Sequence, residues 1–172
     1  MRAPQLVIVE IDGWIARLLS ELSAENKWLV RASRSSDNAM SLVRDRRPSV
    51  LVVQVELADD KPAALTLISD AFRLCPDVPV VAVSDVKLND ADRVAWTAAL
   101  FDLGARYAVF PPLTRPVLED VVSGLMASAT RRAGITAPVA KSAPDKPKPK
   151  PRSKRAAPAE DVIDLADDEL YE

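Results

Sequence analysis

Residues 48–59 read PSVLVVQVELAD, and the apolar run Val50-Leu51-Val52-Val53 at their heart decides the fold. A short, largely β-branched run with no polar alternation needs cover on both faces, which predicts the central strand of a parallel sheet. Pro48 stops the helix before it. The C-terminal end of the run carries Gln54 and Glu56. In an open parallel α/β sheet, ligands and chemistry gather beyond the C-terminal ends of the strands, so these positions weigh most on function. The first of them is an amide.

On either side of this strand, strands and helices alternate. Residues 5–10 (QLVIVE) form an apolar run ending in an acid, hence a buried first strand. Asp12 is placed to cap a helix reaching residue 26, with Ile15, Leu18, Leu19 and Leu22 at helical spacing. A shorter strand follows at 28–32, and Ser36 or Asp37 caps a helix to residue 46. After the central strand, Pro62 opens a third helix whose inner face is Leu65, Ile68, Ala71 and Phe72, and Pro76 ends it. Residues 78–84 (VPVVAVS) are another buried strand. Asn89 or Asp90 opens a fourth helix through 103, and Gly104 supplies the left-handed residue that closes it. The fifth strand covers 106–110. Thr114 caps a fifth helix, with Pro116 in its first turn and Val117, Leu118, Val121 and Leu125 facing inward. Strict alternation predicts an α/β fold with a parallel sheet and right-handed crossovers, in the doubly wound, flavodoxin-like order 2-1-3-4-5.

Composition narrows the function. The 172 residues suit one domain of roughly 130 residues plus an appendage. The single cysteine, Cys75, excludes an intramolecular disulfide, agrees with a reducing compartment, and reads as a helix-end packing residue. The absence of histidine excludes imidazole catalysis and imidazole metal ligation. No apolar run is long enough to span a bilayer, and MRAPQLVIVE leads straight into a strand without the apolar core of a signal peptide. A soluble, cytoplasmic protein is expected. The first strand–helix turn, Glu10-Ile11-Asp12-Gly13-Trp14, has no glycine fingerprint for a pyrophosphate, and no Walker-type GK[ST] occurs. No cofactor and no metal are expected.

Over residues 4–130 the chain resembles the receiver (CheY-like) domain of bacterial response regulators. The resemblance rests on LVIVE, RPSVLVVQVEL, VPVVAVS and, most specifically, GARYAVFPPLTRPVLEDVV, in that order. It implies two acids after the first strand and an acceptor aspartate ending the third, which together bind magnesium. It also implies a Thr/Ser and a Lys that grip the phosphoryl oxygens. Residue by residue, Glu10 matches the first acid, and Ile11 falls where the second belongs, with Asp12 one step away. Gln54 falls at the acceptor, Ser84 matches the hydroxyl and Pro111 replaces the lysine. The aromatic often found in strand five maps to Ala108, with Tyr107 displaced by one. A Gln amide is a poor nucleophile and brings no charge for magnesium. Without lysine at 111, no cation offsets phosphoryl charge. Losing three parts together leaves no aspartyl-phosphate chemistry, so the expectation is a degenerate, non-enzymatic pseudo-receiver. Glu56 and Asp59 are the carboxylates that an alternative acceptor would use.

The fourth helix carries two apolar stripes. Val94, Ala98 and Phe101 are expected to face the sheet, while Trp96, Leu100 and Leu103, at i, i+4 and i+7, are rotated away. In receivers, the surface of the fourth helix, fifth strand and fifth helix is a common partner or dimer face. Trp96, Leu100 and Leu103 are therefore expected to bind a protein partner or a second copy.

Past residue 131 the composition changes. Residues 132–158 are rich in Ala, Pro and Lys, with KPKPKPRSKR at the centre. They predict a disordered, extended linker after the 1–131 domain. Its charge makes nucleic acid or an anionic membrane a secondary expectation. Residues 159–172 set Val162, Ile163, Leu165, Leu170 and Tyr171 among acids, as docking peptides do. The chain thus reads as an adaptor with two protein-binding surfaces. A phosphoacceptor domain using a displaced carboxylate, and a nucleic-acid or membrane tether, are the alternatives.

Overall fold

The computed structural model describes residues 3–45, 47–57 and 62–134. The chain runs β1 (Gln5–Val9), α1 (Trp14–Leu18), α2 (Ser20–Glu25), β2 (Leu29–Ser33), α3 (Ser36–Asp45), β3 (Ser49–Gln54), α4 (Ala63–Leu74), β4 (Val80–Val83), α5 (Asp90–Asp102), β5 (Tyr107–Val109) and α6 (Arg115–Arg132). The strands form one five-stranded parallel sheet in the order β2-β1-β3-β4-β5, as expected. All six residues of β3 are buried, which accounts for its unbroken apolar run.

Successive side chains of a strand point to opposite faces, and β3 feeds two cores by this rule. Leu51 and Val53 pack with α3, α4 and α5, whereas Val50 and Val52 pack with α1 and α6. β4 divides likewise, Val80 and Ala82 on one side and Val81 and Val83 on the other. Full burial of such side chains stabilises by roughly 1.5–3 kcal/mol each.

The helices correct several expectations. The first predicted helix is interrupted at Leu19, so the fourth and fifth are α5 and α6. Asp12 does not cap α1; Gly13 occupies the N-cap in a left-handed conformation, φ 75°, without a side-chain bond. Ser35 rather than Ser36 or Asp37 offers its hydroxyl at the start of α3, to the Asn38 amide at 3.5 Å. Asn89 does cap α5, accepting from the Asp92 amide at 2.8 Å. Thr114 makes no side-chain cap bond. Cys75 is buried at the end of α4.

The two stripes of α5 are reversed. Leu100 is 1% exposed and Trp96 and Leu103 are half-buried, whereas Val94 is 69% and Phe101 49% exposed. The helix ending explains the rotation. The Ala105 amide donates to the Leu100 carbonyl at 2.9 Å, and the Gly104 amide to that of Phe101 at 2.9 Å, with Gly104 at φ 104°. This double closure brings the residue after the glycine against the one five before it. Leu100 and Ala105 accordingly enter the same core, and Phe101 is turned outward. In the same way, α4 buries Leu67, Ile68 and Ala71 and leaves Phe72 exposed. α6 buries Leu118, Val122, Leu125 and Met126 and leaves Val117 exposed.

Candidate functional site

At the C-terminal rim of the sheet, the polar residues that end the strands are turned onto backbone. Glu10, immediately after β1, is buried. Its Oε2 accepts from the Ile15 amide at 2.7 Å and its Oε1 from the Ala16 amide at 3.1 Å. Glu10 thus does for α1 what Asp12 was expected to do, and Asp12 is exposed. A carboxylate here satisfies amides that a helix start leaves unpaired.

Gln54 ends β3 and is also buried. Its Oε1 accepts from the Ile11 amide at 2.9 Å, which ties the end of the central strand to the β1–α1 loop. Ser84, after β4, accepts from the Val86 amide at 3.3 Å and donates its own amide to the Val109 carbonyl at 3.0 Å. Pro111, half-buried, follows β5 and joins Pro112 through a cis peptide bond. Glu56 is half-buried two residues beyond Gln54, and Asp59 lies outside the described residues.

Glu10, Ile11 and Asp12 line a cleft of about 220 Å³ with Ser33 and Arg34. Gln54 reaches it only through Ile11. Among the described residues, no group of three or more acidic or cysteine side chains is arranged to hold a metal ion. The buried acceptors Glu10 and Gln54 therefore hold the β1–α1 loop and the start of α1.

The edge of the sheet is the opposite kind of surface. β5 pairs with β4 alone. Across it, Val94 and Phe101 of α5, Tyr107 of β5, and Val117 and Val121 of α6 line a groove of about 620 Å³. Tyr107 is 46% and Val117 45% exposed, so this apolar surface is only half covered. Arg115 bridges two carboxylates, Glu21 of α2 at 2.6 Å and Glu119 of α6 at 2.7 Å. The hydrogen bond from Arg115, reinforced by its charge, holds the Glu21 carboxyl below its ordinary value, and the same bonds raise Arg115.

No protein-family model matches the sequence, and no curated protein matches it. Solved structures do. The receiver domain of NtrX from Brucella abortus aligns at 21% identity and a TM-score of 0.57, over 72% of this chain and 98% of that one. A response regulator receiver domain protein (CheY-like) from Methanospirillum hungatei aligns at 13% identity and a TM-score of 0.59, over 76% and 99%. The chain spans 29% of the longer NtrX chain solved with ADP, at 19% identity and a TM-score of 0.60, with 78% of this chain aligned. The chain has the receiver fold.

Within the receiver fold, the residues assigned by resemblance to the phosphorylation pocket do fall at the rim. Glu10, Ile11 and Gln54 are brought together by the bonds described, with Asp12 beside them. Of the expected partner residues, Leu100 belongs to the core rather than to the surface, and Trp96 and Leu103 are half-buried. The surface is made by Val94, Phe101, Tyr107 and Val117, which the sequence reading placed elsewhere or passed over. The signal that finds Val94 and Phe101 is Gly104-Ala105, because the helix closure fixes which leucine turns inward. Val162, Ile163, Leu165, Leu170 and Tyr171 lie outside the described residues, as do the linker and terminal segments. Among the described residues, no helix is long and apolar enough to cross a membrane.

Proposed function

We propose that the chain is a non-catalytic pseudo-receiver that serves as a cytoplasmic adaptor between proteins. The observation that carries this reading is the Gln54–Ile11 bond. The position that resemblance assigns to the phosphoacceptor holds a neutral amide, and its oxygen is engaged by backbone. Pro111 offers no cation for a phosphoryl group, and Glu10 is occupied as a helix cap. Binding is assigned to the α5–β5–α6 groove, which takes a protein partner or a second copy of the chain. The acidic-apolar segment 159–172, through Val162, Ile163, Leu165, Leu170 and Tyr171, is a second attachment point.

The competing reading is phosphorylation at a displaced carboxylate, and the half-buried Glu56 beside Gln54 is the observation that favours it. Incubation with acetyl phosphate and magnesium separates the two. The adaptor reading expects no phosphoryl mass gain and no shift of amide signals around Gln54 with beryllofluoride. A stable adduct on Glu56 would replace it. The surface assignment is tested by Phe101→Glu, which is expected to abolish self-association or partner capture with unchanged melting behaviour. Unaltered mass and capture would remove the groove from the proposal.

A further inference from the structure

A second cleft lies at the other end of β5. It measures about 500 Å³ and passes the free edge of that strand between α5 and α6. The rings of Phe72, Phe101 and Tyr107 line it, and Phe72 is 55% exposed. Its base nonetheless packs closely on Gly104. Gly104, at φ 104°, lies so close that a Cβ there would stand 2.4 Å from Phe72 Cβ and Cγ. The ring thus packs at its base and leaves much of its surface uncovered, which offers a face for stacking.

The α6 wall of the cleft carries small residues at Gly124, Ser128 and Ala129, set among Val121, Leu125 and Arg132. Gly124 sits inside a helix, where glycine is a poor former, and a Cβ added there would meet nothing within 4 Å. Packing does not require this glycine; it keeps the cleft open. Arg106 and Arg132 also line the cleft, and neither forms an ion pair with another of the described residues. Asp120 adds one acceptor, and Asp77 faces Arg47 at 3.8 Å.

From this combination we infer that the cleft binds a nucleobase carrying phosphate. Aromatic rings stack on planar bases whatever their identity, and guanidinium groups take phosphate oxygens. A volume of about 500 Å³ lies in the range of small-ligand sites. Asp120 supplies an acceptor for an exocyclic amino group, which favours cytosine over thymine. A free nucleotide and a base within a single strand share this chemistry. Phe101 and Tyr107 border both this cleft and the apolar groove, whereas Phe72, Gly124 and Arg132 border the cleft and not the groove, so variants at these three test the cleft separately from the adaptor reading.

The test uses the full chain and anisotropy of labelled oligo(dC), with CMP and oligo(dT) as competitors. Gly124→Leu fills the cleft without opposing the helix, and Phe72→Ala removes the stacking face. Each is expected to weaken oligo(dC) binding about tenfold, within the range of one lost stacking contact. Arg132→Ser is expected to lower the salt dependence by about one phosphate contact. Competition by CMP identifies a free nucleotide as sufficient; displacement by oligonucleotide alone identifies a strand. A full chain that binds neither overturns the inference. So does binding that survives both cleft variants and disappears when Lys146, Lys148 and Lys150 are replaced by serine.

Discussion

The rim of the sheet and the edge beside β5 treat their side chains in opposite ways. At the rim, Glu10, Gln54 and Ser84 are buried and each is bonded to backbone amides. At the edge, Val94, Phe101, Tyr107 and Val117 present largely apolar side chains that are 45–69% exposed. Polar groups are stable inside only when their hydrogen bonds are made locally, and the rim meets that condition. Contiguous apolar surface at a sheet edge is the kind of surface on which interaction sites are built. The contrast is one of side-chain partners: the rim's Glu10, Gln54 and Ser84 are bonded to local backbone, and the edge beside β5 carries apolar side chains with about half of their surface uncovered.

The sharpest way to break this contrast is at neighbouring residues of α5. Leu100→Ala removes a fully buried side chain and is expected to destabilise by about 2–5 kcal/mol. Phe101→Ala is expected to change stability by no more than about 0.5 kcal/mol, as surface substitutions do. Denaturant melts of both variants decide it. Equal losses would mean that the two stripes of α5 are not divided as described.

The rim comes next. Gln54→Leu leaves the Ile11 amide without its acceptor and is expected to cost about 1–3 kcal/mol, with faster hydrogen exchange at that amide. Glu10→Ala removes the acceptors of two amides at the start of α1, and the expected cost is about 0.5–2 kcal/mol. Melts unaffected by either change would show that these bonds do not hold the loop. The rim would then be open to chemistry after all.

The sheet was legible in the sequence because its three central strands, β1, β3 and β4, are buried on both faces and read as apolar runs. Gln54 and Glu10 were legible as positions, since they end such runs. Their hydrogen bonds were not, because the partners are backbone amides in a loop whose path depends on Gly13 being left-handed. The facing of α5 was misread for a related reason. Two apolar stripes satisfy the same helical period, and the choice between them is made by a closing turn at Gly104, outside the helix itself. Phe72 and Val117 were placed inward by spacing alone, although α4 and α6 each present more apolar residues than one sheet face covers.

The smallest expected effect concerns Arg115, which links α2 to α6. The hydrogen bond from Arg115, with its charge, lowers the Glu21 carboxyl from its ordinary value of 4.5 in the folded state. A carboxyl lowered on folding binds fewer protons folded than unfolded across that window. Its stabilisation is therefore complete above the ordinary value and is lost as pH falls through the lowered one. Arg115 remains charged throughout, so acid acts on the carboxylates alone. Both groups are solvent-exposed, and salt screens their attraction. Glu21→Gln is expected to lower the melting temperature slightly at neutral pH and low salt. The difference should shrink in strong acid, and also at high salt, while Glu119 continues to hold Arg115 within α6. A difference that persisted through both conditions would mean that Glu21 packs α2 against α6 by shape, and that charge has no part in joining the two helices.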